Sequence, residues 1–242
     1  MKSGRTRTIL VLMAFFLCAA APGWAQPNRY RSHPYDQSDG SFHLRVGLFQ
    51  PDGDSAYWND KGRDFTGSID DFENVSIGGD YLWSFSPRLG LLVSGSYFQG
   101  DSTNSYRDFE DNFGNRIRHD TTLEISSLTA GLRLQLAGSG APVIPYVAAG
   151  GGLYFWRLEE DGDFIDFGTN PLDIFNARLE SDGAAPGFFA LVGLEVPVGR
   201  SLALFGEGRW TQADDELEGD FEDFGKIDLS GREFAAGLSW RF

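Results

Sequence analysis

Apolar and polar residues alternate through eight stretches of this chain. From Phe42 to Gln50, Phe42, Leu44, Val46 and Leu48 share one face, while His43, Arg45, Gly47 and Phe49 share the other. A period of two is the mark of a β-strand lying between unlike surroundings. The same pattern predicts strands over about Asn74–Phe85, Leu89–Gln99, about Thr121–Leu136, Tyr146–Trp156, Phe188–Val198, Leu202–Trp210 and Phe234–Phe242. In the fourth stretch Leu123 and Ile125 are out of phase with Leu128, Ala130, Leu132, Leu134 and Leu136, and a bulge near Ser126–Ser127 would restore one apolar face.

The connections fall into two kinds. Ser86–Arg88, Ala137–Ile144 and Gly199–Ser201 are short, whereas about 51–73, 100–120, 157–186 and 211–228 are long. Short and long alternate, so in an antiparallel arrangement every long loop gathers at one end.

Alternation alone also suits a soluble β-sandwich. Three features favour a closed barrel in a membrane. Tyr81, Trp83, Tyr97, Tyr146, Tyr154, Trp156, Trp210 and Trp240 lie near the ends of the apolar faces, where amphipathic rings suit a membrane–water boundary. The opposite faces carry Arg45, Asp80, Arg133, Glu195, Glu207, Arg209, Glu233 and Arg241, which suit an enclosed polar interior and not a sandwich core. The loop asymmetry matches short periplasmic turns and long extracellular loops. Hydrocarbon offers backbone groups no hydrogen bonds, so a spanning sheet must close on itself. The terminal strand, Phe234–Phe242, is therefore expected to pair with the first. The fold class read from the chain is all-β: a closed antiparallel transmembrane β-barrel of about eight strands.

The first 25 residues read differently. Lys2, Arg5 and Arg7 precede an apolar run from Ile9 to Ala21, and Gly23-Trp24-Ala25 forms a small-residue cleavage site. This is the pattern of a secretory signal peptide. Residues 26–40 read as a flexible lead-in and 41–242 as the barrel domain. The lone cysteine, Cys18, lies within the signal, so the exported chain has neither a disulfide nor a thiolate site. Loss of the three basic residues takes the formal charge from −15 to −18. That charge, with no basic stripe, excludes nucleic acid as a partner.

The final residues also carry a resemblance. Gly237, Trp240 and the terminal Phe242, set in alternating apolar positions, resemble the C-terminal signal by which outer-membrane barrels are recognised for assembly; Ala235 stands where a polar residue is usual. With the signal peptide, alternation and loop asymmetry, the chain from about Ser41 to Phe242 resembles the small outer-membrane β-barrel proteins, the OmpA/OmpX/OmpW-like group. The resemblance implies a monomer in the cell outer membrane. Its partners there would be lipid, lipopolysaccharide and the barrel-assembly machinery.

Candidate chemistry is sparse, and no cofactor is implied. The long connections hold 28 of the 35 acidic residues and eight basic ones, a composition suited to divalent cations bridging to lipopolysaccharide phosphates or simply to a solvated surface. Asp161, Asp163 and Asp166 are the nearest approach to a calcium loop, but the later glycine and glutamate are missing. An Asp-Phe element recurs at Asp64, Asp71, Asp108, Asp163 and Asp220, and its aromatics are expected to pack and order the loops. The inward charges are expected to pair into a plug, Arg45 with Asp80 and Arg209 with Glu233 or Glu207, because eight strands leave room only for side chains. Inward Leu82, Leu92, Phe98, Leu153, Phe155 and Phe205 leave open a partly apolar lumen that holds or conducts a small solute. His119 beside Asp120, with Ser126 and Ser127 following, is the sole candidate for lipid-modifying catalysis. The sequence therefore points to a structural or surface-interaction barrel, not an enzyme.

Overall fold

The computed structural model describes residues 40–111, 113–169 and 173–242. The signal segment and the lead-in through residue 39 lie outside the described residues; Gly40 already belongs to the first strand. The chain forms β1 (Gly40–Pro51), β2 (Asn74–Ser84), β3 (Leu89–Glu110), β4 (Arg116–Gln135), β5 (Ile144–Asp166), β6 (Asp173–Pro197), β7 (Leu202–Glu216), a three-residue β8 (Lys226–Asp228) and β9 (Gly231–Arg241). Each of β1 to β7 pairs antiparallel with its neighbours in sequence. β9 pairs with β7 on one side and with β1 on the other, from Ser41 opposite Arg241 to Pro51 opposite Gly231. Eight strands thus close into a ring, with β8 paired as a strand to the upper end of β7.

The alternating residues sort by face. Val46, Leu132, Phe188 and Phe234 on the outer wall are 53–74% exposed, while Arg45, Asp80 and Arg133 inside are 2–3% exposed. In water this distribution would be inverted. It is stable where the outer wall meets hydrocarbon and the ring satisfies every backbone group internally.

Two local expectations are overturned. No bulge interrupts β4 near Ser126–Ser127: its register runs unbroken from Ile125 opposite Phe98 and Trp156 to Leu128 opposite Gly95 and Leu153. Leu123 and Ile125 instead point inward and are buried. On β5, Tyr146, Tyr154 and Trp156 also face the interior, and Leu153 and Phe155 face outward. Both faces of this strand are apolar, so alternation cannot choose between them. The Tyr146 and Trp156 rings fit because β6 provides glycine opposite them. A Cβ at Gly193 would overlap the Tyr146 ring, and one at Gly183 would stand 2.9 Å from the Trp156 indole.

The long connections also differ from the expectation. Most of 100–120 and 157–186 is strand: the β3–β4 ladder continues well past the apolar belt to Glu110 opposite Arg116, with a register shift between Ser105 and Glu110, and the β5–β6 ladder continues to Asp166 opposite Asp173. The first long connection folds into helix α1 (Ala56–Asp64) and a 3₁₀ turn at Ile69–Phe72, and the last into a 3₁₀ turn at Gly219–Phe224 and β8. Ser55 caps α1, its hydroxyl accepting from the Trp58 amide.

The β1–β9 seam is tight at Gly237. A Cβ there would collide with the Leu44 carbonyl oxygen and lie 2.7 Å from the Phe205 ring, whereas Gly138, in a turn, has nothing within 4 Å of its virtual Cβ. Gly237→Val should cost about 1–3 kcal/mol by overpacking. It should also lower the fraction refolding from urea into detergent micelles, read as the fast-migrating unheated band on a gel. Gly138→Val should refold like the natural chain; equal yields for the two variants would refute the steric account of closure.

Candidate functional site

The interior is filled in two layers, and each is built by the inward positions of the strands around it. The lower layer is ionic. Arg45 on β1 donates directly to Asp80 on β2, and Ser94 on β3 donates to the same carboxylate. Arg209 lies 3.6 Å from Asp80 and 3.5 Å from Glu207, while Arg45 lies 3.6 Å from Glu233 and 4.0 Å from Glu207. Ser76 donates to Glu233 at 2.5 Å and Tyr146 to Glu207 at 2.9 Å. Nearer the short turns, Arg133 and Arg241 both donate to Glu195 at 2.5 Å. The Arg133 guanidinium stacks 3.7 Å over the Tyr146 ring and joins the two groups. His43 bonds Ser41 at 2.9 Å beside Arg133. Four arginines face four carboxylates, so the layer is formally neutral, the condition under which buried ions are tolerated. Beside it pack Leu82, Leu92, Ala148, Phe189 and Leu191.

The upper layer is apolar and is completed by the connections. Phe49 and Phe98 meet edge to face at 4.7 Å. Above them Leu123, Ile125, Tyr154, Trp156 and Leu158 pack with Trp58 of α1, Phe72 and Phe221. Trp58 donates to the Asp228 carbonyl at 3.1 Å, and Trp156 donates to Asp215 at 2.8 Å. α1 is anchored to the wall by Lys61, which bonds Glu160 on β5 directly and Thr121 on β4 at 2.7 Å; Tyr57 donates to Glu160 at 2.6 Å. Burial pushes the Lys61 ammonium below the usual lysine range, and the Glu160 carboxylate offsets part of that fall. Burial likewise raises the Tyr57 hydroxyl well above the ordinary phenol value.

The remaining candidate residues separate. His119 is buried among Phe65, Tyr106 and Phe164, 3.9 Å from Glu160, and neither ring nitrogen has a hydrogen-bond partner. Asp120 faces the opposite side of β4, where Thr103 donates to it at 2.6 Å, and Ser127 is engaged with Ser96. No acid–base pair forms from these residues. Asp161, Asp163 and Asp166 do not converge, and among the described residues no cluster of three or more acidic or histidine side chains is placed to hold a metal. Trp240 lies on the outer face of the closing strand, opposite Phe42 and Leu202, and Phe242 stands beside Tyr81.

The Asp-Phe aromatics divide. Phe72, Phe164 and Phe221 are buried; Phe109 packs against Tyr106 and Phe167, while Phe113 is 89% exposed. The alternation did not disclose the Lys61–Glu160–Tyr57 anchor. A cap at Ser55 followed by Tyr57, Trp58 and Lys61 on adjoining helical positions is the signal that marks it.

Several solved outer-membrane proteins are similar to this chain. Neisserial surface protein A is 13% identical, over 85% of this chain and 98% of that one, with a TM-score of 0.49. OprG of Pseudomonas aeruginosa is 13% identical over 85% and 97%, with a TM-score of 0.47. Ail of Yersinia pestis is 14% identical over 84% and 99%, with a TM-score of 0.41. No curated protein matches significantly. The family described as outer membrane protein beta-barrel domain matches residues 8–242. Nearly the whole chain therefore belongs to that family, and the protein is a small β-barrel of the cell outer membrane.

Proposed function

We propose that this barrel is a structural, surface-interacting protein, and neither a diffusion pore nor an enzyme. The observation that carries this reading is the doubly filled lumen: a neutral ionic layer below, and an apolar layer sealed by α1 above. A solute crossing it would have to break the Arg45–Asp80 group and then displace Trp58, Phe72 and Phe221. Meanwhile β3 to β6 rise past the apolar belt and present a folded outer surface on a rigid base. The burial of His119, facing away from Asp120, supports a non-catalytic role. The carboxylates of the outer segments are dispersed, so divalent cations there would be shared with lipopolysaccharide phosphates and not caged by the protein alone.

Three measurements test this. In planar bilayers the folded protein should give no unitary conductance steps, and reproducible steps would favour the narrow channel. Arg45→Ala leaves Glu233 and Asp80 short of a buried partner and should cost about 3–5 kcal/mol, read as a lowered urea midpoint in vesicles. Lys61→Met, which strands Glu160 beneath α1, should raise the rate at which added protease cuts within 52–73. A cleavage rate equal to that of the natural chain would show that the anchor does not hold the cap.

A further inference from the structure

The wall changes partners at one place. β7 pairs with β9 up to Thr211 opposite Gly231, then with β8 from Asp214 opposite Asp228. The β6–β7 ladder ends at the same height, at Gly187 opposite Ala213. Beside this junction lies a recess of about 840 Å³. Its floor is apolar: Phe188, 74% exposed, with Ala190 and Trp210. Its rim is polar, formed by Asp52, Asp54 and Lys226 together with Asp214 and Asp228. Trp210 pairs across the ladder with Arg232, where the apolar belt gives way to charged residues. The recess thus straddles the level at which a lipid tail meets its head group.

The charges of the rim do not balance. Lys226 is taken up by Asp214 at 2.7 Å, and Arg232 lies 3.5 Å from Asp52. Asp228 is 7% exposed and is met by two neutral donors, the amides of Asp54 at 2.7 Å and Ser230 at 2.9 Å. Neither Asp228 nor Asp54 has a cationic partner within 4.0 Å among the described residues. A buried carboxylate with neutral donors only, next to an exposed one, leaves negative potential over an apolar floor.

We propose that this recess binds a single-chain cationic amphiphile. Its tail lies along Phe188, Ala190 and Trp210, and its ammonium group sits between Asp54 and Asp228, within reach of the Trp210 π-face. Ammonium–carboxylate attraction, cation–π contact and burial of the tail act together. The site stands apart from the filled lumen and is independent of the surface role proposed above.

The test uses the full barrel refolded in phosphatidylcholine vesicles, with brominated-chain stearylamine and brominated-chain stearyl phosphate as probes. Bromine quenches nearby indoles, and the difference between the natural chain and Trp210→Phe isolates Trp210. The amine should reach half-quenching at about a tenfold lower mole fraction than the phosphate. Asp54→Asn should shrink that preference to within about threefold, while Asp163→Asn, remote on β5, should leave it unchanged. Equal quenching by the two probes would mean ordinary contact with bulk lipid, and preference for the phosphate would mean that Lys226 and Arg232 govern the site. Either result overturns the proposal, as does an equal effect of the two aspartate substitutions. The probe comparison on the natural chain decides the matter even if Asp54→Asn fails to insert.

Discussion

Backbone hydrogen bonding between β1 and β9 is the constraint on which the rest depends. Eleven residue pairs, from Ser41–Arg241 to Pro51–Gly231, join the two ends of the sheet. Without them each edge strand would present bare amides and carbonyls to hydrocarbon, at several kcal/mol apiece. Closure in turn decides where everything else goes. Residues of one parity meet lipid, and those of the other are forced into a space that water reaches poorly. Ions placed there must be matched in number, and the four arginines and four carboxylates of the lower lumen are.

That space is finished by parts of the chain which are not barrel. An eight-stranded ring leaves a narrow interior, and its lower half is filled from the strands alone. Its upper half is wider in chemistry: Leu123, Ile125, Leu158 and the inward rings of β5 are apolar and would be wetted if the mouth were open. α1 and the two 3₁₀ segments cover them. Burying Tyr57, Trp58, Phe72 and Phe221 offsets the cost of ordering these connections. A single buried ion pair, Lys61 with Glu160, sets the helix in register against the wall.

Much of this was legible in the sequence, and the failures have a common cause. β1, β2, β7 and β9 carry charges on one face and aliphatics on the other, so their orientation could be read directly from Arg45, Asp80, Glu207 and Glu233. β5 could not be read in this way, because YVAAGGGLYFW offers two apolar faces and the interior at that height is apolar too. The same ambiguity placed Leu123 and Ile125 in conflict with their strand and suggested a bulge where none exists. The upper halves of β3 to β6 read as loops because their acidic residues obscure the alternation of Ile117, Thr121 and Leu158 with Arg118, Asp120 and Glu159. Clustering of outer-wall charges near the recess was likewise invisible, since Asp54, Lys226 and Asp228 are brought to Trp210 only by the exchange of partners along β7.

The unequal heights of the strands have a mechanical consequence. β2 ends its pairing with β3 near Ser76–Phe98, while β3 runs on to Glu110. At about 3.3 Å per residue and a tilt near 40°, those twelve residues lift one side of the wall by roughly 30 Å. The barrel wall is therefore a parapet with one tall flank and one low one. A partner approaching this end along the barrel axis would reach the flank of β3 to β6 before the lower side of the wall.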